Sequence, residues 1–222
     1  MKKSILFLAL LVTSFGYSQE NDDSTSKKTI ADLYIGIGAQ VHDDYNLNNK
    51  LRMSNVAELK TVSPEFTVGL NVFGEKYSGD VEFGFLYSKN SEGNTKNQVM
   101  GFSTRLRVHY NLVNQDKFAF TSGLNISSTS SEIDIYSRNN VIDFNDLNPA
   151  NNGGHINLRN QTFYTGPSIA FYFFKDKKTK IRINAGYELA FTNGKWKSDF
   201  ASTENRVKEN GNNRFVFGIS LL

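Results

Sequence analysis

Seven charged side chains sit at alternate positions of otherwise apolar runs: Glu65, Glu82, Arg105, Arg107, Arg182, Glu188 and Arg214. Carboxylates and guanidiniums in such a mixture have two uses. Lining a wet passage, they would select and gate ions. Packed together without water they must pair, because an unpaired charge away from solvent is expensive. Residue parity places Glu82 near Arg107 and Glu188 near Arg214. The expectation is a paired plug, with His109 joining it on the face shared by Arg105 and Arg107.

Other chemistry finds little purchase. The chain has 3 histidines. A hydrolase would need one beside a serine and an orienting carboxylate. His42 and His155 fall in polar connecting segments, and His109 lies at the wrong end of its strand for attack on outer-leaflet lipid. No catalytic residue is assigned and a non-enzyme is expected. With 0 cysteines, thiol catalysis, disulfides, cysteine metal sites and a lipid-modified cysteine are excluded. Asp143, Asn145 and Asp146, with Asn148, Asn151 and Asn152, lack the spacing and closing Glu of a calcium loop, so they read as turn residues. Neither a metal nor a cofactor is expected. The formal charge of +3 falls to +1 without Lys2 and Lys3 (3 − 2 = 1). That leaves no basic stripe for nucleic acid.

The elements that hold the charged residues all have period 2. Ile181, Ile183, Ala185, Tyr187, Leu189 and Phe191 face one way, and Arg182, Asn184, Gly186, Glu188 and Ala190 the other. Seven more segments alternate likewise, with outward sets Leu33–Val41, Phe66–Val72, Val81–Tyr87, Met100–Tyr110, Phe118–Ile126, Phe163–Phe173 and Phe215–Leu221. Pro167 is the weak point of its segment, since proline donates no ladder hydrogen bond. Tight joints are expected at 74–79, 112–116 and 175–180. Long polar ones are expected at 42–61, 89–98, 133–160 and 193–212. Before them, residues 1–18 read as a signal peptide, with Lys2 and Lys3, an apolar Ile5–Val12, and Gly16 and Ser18 placing cleavage before Gln19. Residues 19–29 form a polar tail, which leaves 30–222 as the domain.

Eight strands, with short turns on one rim and long loops on the other, predict an all-β, eight-stranded antiparallel up-and-down transmembrane β-barrel. The mean hydropathy of −0.42 agrees, because half of each strand faces a polar lumen. Inward Gly36, Gly38, Gly69, Gly84, Gly101, Gly123, Gly186 and Gly218 make room for larger polar neighbours. Outward aromatics are expected as two girdles. Tyr87, Phe163, Phe191 and Phe215 lie toward the long loops, and Tyr110, Phe118, Phe171 and Phe173 toward the short turns.

The signal, the eight alternating strands and the apolar last strand ending in Leu222 resemble the small outer-membrane barrels of Gram-negative bacteria, of the OmpA/OmpX-like kind. The resemblance is architectural and covers the mature chain. It implies an integral outer-membrane protein in contact with outer-membrane lipid, with its long loops exposed. A protein partner at those loops or in an outer-membrane complex is implied as a possibility, and a tethering role through a peptidoglycan-binding domain is not. The leading expectation is a structural or interaction role with a plugged lumen. The alternatives are a narrow channel or accessory barrel of a transport or secretion assembly, and then a barrel-embedded lipid-modifying enzyme.

Overall fold

The computed structural model describes residues 29–137, 155–175, 177–204, 206–209 and 211–222. The expected signal peptide, most of the expected tail and the oxygen-rich run at Asp143 lie outside these residues. Eight strands close into one ring: β1 (Ile30–His42), β2 (Val62–Phe73), β3 (Tyr77–Glu92), β4 (Thr95–Asn114), β5 (Phe118–Ser137), β6 (His155–Phe173), β7 (Ile181–Ala190) and β10 (Arg214–Leu221). Each pairs antiparallel with its neighbours in chain order. Closure comes from β1 against β10, with Ile37 opposite Ile219. The fold is therefore the eight-stranded up-and-down barrel that the alternation predicts.

The alternation survives as two distinct surfaces. Leu33, Ile37 and Leu124 stand outward at 80%, 67% and 64% exposure, while Gln40, Arg182 and Glu188 point inward at 0%. A water-soluble sheet would hide the first set and expose the second. The outward apolar belt runs from Leu33 to Val41 on β1 and from Phe102 to Leu112 on β4. That matches the roughly 9–11 residues a tilted strand needs to cross a bilayer. Tyr87, Tyr110, Phe163, Phe191 and Phe215 are exposed on this surface. Phe118 meets Phe171 and Phe173 at ring distances of 6.2 and 5.6 Å near the short-turn end.

Two connections differ from expectation. The segment 89–98 is no long loop: β3 and β4 continue as a hairpin to Glu92 and Thr95, turning through Gly93 at φ 53°. Glycine suits that left-handed position. The segment 133–160 is likewise partly strand, with Ile133 opposite Leu158 and Ile135 opposite Ile156. Polar side chains on these stretches hid their strand character, because a ladder above the bilayer has no need of an apolar outer face. β4 and β5 thus reach 20 residues each and stand well above the belt. Pro167 keeps its place in β6. The β6–β7 register is interrupted there, resuming at Ser168 opposite Gly186.

The other two long connections fold onto this extension. Residues 43–61 carry helix α1 (Asn46–Met53), and 191–213 carry the two-residue strands β8 (Gly194–Lys195) and β9 (Lys208–Glu209). Leu47, Leu51, Leu59, Ile133, Ile135 and Trp196 form a small apolar core. The barrel therefore wears a folded cap on its long-loop rim.

Candidate functional site

The lumen gathers charges from five strands. Glu65 comes from β2, Asp80 and Glu82 from β3, Arg105 and Arg107 from β4, Arg182 and Glu188 from β7, and Arg214 from β10. All are buried, and the four acids balance the four arginines. Arg107 bonds Asp80 at 2.7 Å and Glu82 at 2.7 Å. Arg105 reaches Glu82, Glu188 at 3.0 Å and Glu65 at 3.5 Å. Arg182 crosses from β7 to Asp80 at 2.8 Å, and Arg214 bonds Glu188 at 2.5 Å. The pairs expected from parity, Glu82 with Arg107 and Glu188 with Arg214, are both present. Arg107–Asp80 and Arg105–Glu82 also join the neighbours β4 and β3, whereas Arg105–Glu188, Arg105–Glu65 and Arg182–Asp80 are cross-lumen struts between strands that are not neighbours in the sheet.

Aromatic and neutral polar groups fill what the charges leave. The Tyr34 hydroxyl lies 3.2 Å from Asp80 and 3.0 Å from Glu82, and the Arg182 guanidinium stacks on its ring at 4.2 Å. Arg214 stacks on Tyr164 at 3.8 Å. Such contacts suit guanidinium, which is weakly hydrated and planar. Tyr34 can lie across the lumen because residue 69 is glycine: a Cβ there would come within 2.5 Å of the ring. Ser103 donates to Glu65, and Tyr172 donates to Asn71 at 2.8 Å. His109 contacts Thr121 Oγ1 at 2.8 Å and Ser168 Oγ at 2.7 Å, both through its ring nitrogens. Its ring is thus fully engaged with hydroxyls.

Every predicted network residue lies in this cluster. Sequence reading missed Asp80, Tyr34, Gln40, Tyr164 and Tyr172. Asp80 was recoverable, since it shares the parity of Glu82 and merely falls one step before the apolar run of β3. The tyrosines and Gln40 have inward parity too, and the structure buries them as the alternation expects; what sequence does not show is that their polar ends reach the charges across the ring. The other two histidines are apart from the cluster. His42 ends β1 and contacts Asn212 at 3.1 Å, and His155 meets Asp134 at 2.8 Å on the outer surface.

Above the charge cluster, the cap is organised around Glu209. Its carboxylate accepts from the Asn46 and Leu47 backbone N–H groups at 2.8 and 3.1 Å and from Trp196 Nε1 at 2.6 Å. The carboxylate therefore caps the first turn of α1, where the helix dipole favours negative charge. Asn48 ties α1 to Leu59 by reciprocal bonds of 3.1 and 2.7 Å, and Asn97 donates to Ala57 at 2.6 Å. Burial pushes the Tyr45 phenol up, so it stays neutral under this cap. On the exposed surface the Arg52 hydrogen bond holds the Glu58 carboxyl below its usual range.

No family model and no curated protein matches the sequence. Among solved structures the chain is similar to Ail, the attachment invasion locus protein of Yersinia pestis (TM-score 0.46, 10% identity, 86% of this chain and 96% of that one). It is also similar to Neisserial surface protein A (TM-score 0.37, 11% identity, 86% and 98%). A third likeness is to the outer membrane protease OmpT from Escherichia coli (TM-score 0.36, 9% identity, 92% and 98%). At this level nothing about activity passes from those proteins to this chain.

Proposed function

We propose that this chain is an integral outer-membrane β-barrel with a structural or interaction role, closed by its plug and presenting its folded cap to the outside. The observation that carries this reading is the charge-balanced lumen. Four buried acids and four buried arginines, bonded across the ring, occupy the space that conduction would need. An eight-stranded interior is just wide enough to be filled by side chains. The apolar belt supports a lipid environment, because exposed Leu, Ile and Phe around the whole circumference are stable only in contact with hydrocarbon. Short turns on one rim and the cap on the other support an orientation with the cap outside. The cap and the connections around it are then the surface available to a protein partner. A non-enzymatic role is supported by the partners of His109: one ring nitrogen meets Ser168, but the other meets the Thr121 hydroxyl where an orienting carboxylate would be needed.

Conductance of the purified chain in planar bilayers tests the reading. The expected result is insertion without steady current. Stable, ion-selective current would replace the plug with a channel.

A further inference from the structure

Between the plug and the cap lies a cavity of about 20 Å³ whose lining includes His42, Ser131, Asn160, Thr162, Glu209 and Asn212. Two of its lining amides are incompletely bonded. Asn160 Oδ1 accepts from Thr162 Oγ1 at 2.9 Å, and Asn212 Oδ1 contacts His42 Nδ1 at 3.1 Å. The Nδ2 groups of both have no partner, although the residues are 7% and 3% exposed. A buried N–H without an acceptor costs about 1–3 kcal/mol, so two of them around one cavity point to something that accepts from both.

Size and chemistry restrict what that is. A cavity needs about 10–15 Å³ to hold one water, and a buried water makes about 3 hydrogen bonds. The space exceeds that threshold and leaves no room for a sugar ring or a nucleobase. An anion is disfavoured because the Glu209 carboxylate forms part of the wall. A cation is disfavoured because the open groups are donors. We propose that this cavity is a specific site for one neutral, water-sized oxygen acceptor, occupied by water. The water accepts from Asn160 and Asn212 and returns its protons to the surrounding hydroxyl and carboxylate oxygens. The joint between cap and plug is then water-mediated.

The test uses the folded full chain in lipid nanodiscs with labelled asparagine side chains. Nuclear Overhauser spectra should show cross-peaks from the Asn160 and Asn212 amides to water, with the sign of a water that tumbles with the protein. Asn48, which is buried and whose Nδ2 already donates to Asp44 and Leu59 at 2.6 and 3.1 Å, should show none and serves as the internal control. Trp196 fluorescence reports in parallel that the cap is closed, since it is the 1 tryptophan of the chain. Asn212→Leu removes a donor and fills the cavity; Ser131→Val narrows it without touching either amide. Loss of the Asn160 cross-peak in either variant, with Trp196 emission unchanged, supports the site. Three results overturn it: no cross-peak in the closed wild type, a sign typical of bulk exchange, or a peak that persists in both variants.

Discussion

Glu188→Ala is the most demanding test of the plug. Glu188 is fully buried and accepts from Arg105 Nε at 3.0 Å, Arg214 Nε at 2.5 Å and Ser127 at 3.0 Å. Without it the lumen holds three acids against four arginines. Arg105 still has Glu65 and Glu82. Arg214 does not fare so well, because its other partners, Gln40, Thr129 and Ser127, are all neutral. An arginine left charged and dry costs about 3–5 kcal/mol, whereas replacing both members of a buried pair by apolar groups is often neutral. Glu188→Ala should therefore lose about 3–5 kcal/mol, and Glu188→Ala with Arg214→Met should recover most of it. Urea unfolding in lipid vesicles, followed by far-ultraviolet circular dichroism, measures the barrel separately from the cap tryptophan. A single-variant loss below about 1 kcal/mol, with no recovery in the double variant, would mean that water solvates Arg214 and would refute the dry plug.

Three further outcomes are expected. Leu124→Arg, on the exposed belt, should cost about 2–4 kcal/mol in a bilayer; a silent substitution would remove the belt from lipid. Ser103→Ala, which strips a donor from buried Glu65, should cost about 1–3 kcal/mol by the same unfolding assay. Glu209→Ala should red-shift Trp196 emission while leaving the barrel dichroism unchanged, because its bonds lie in the cap. Orientation can be read with cysteines introduced into this cysteine-free chain. Phe200→Cys, at 82% exposure beside the cap, should react with an impermeant reagent on intact cells, and Lys117→Cys on a short turn should not; the reverse pattern would invert the barrel.

The sequence by itself determined the wall. Period-2 alternation is a local property, so the outward sets of all eight strands, the inward charges and the tight turns could be read without any contact map. Two ion pairs between sequence-adjacent strands, Glu82 with Arg107 and Glu188 with Arg214, could be read as well, because antiparallel neighbours in an up-and-down barrel bring inward residues at similar heights together. Tertiary structure decided everything that depends on distance across the ring. That Arg105 reaches Glu188 and Arg182 reaches Asp80 follows only from closure of β1 on β10, which brings β4 and β3 opposite β7. The cap was illegible for a related reason. Leu47, Leu51, Leu59, Ile133, Ile135 and Trp196 are scattered through polar segments far apart in sequence, and none of those segments is apolar enough to announce a core. Hydrophobic burial there is collective, so the signal exists only once the strands have placed the pieces together.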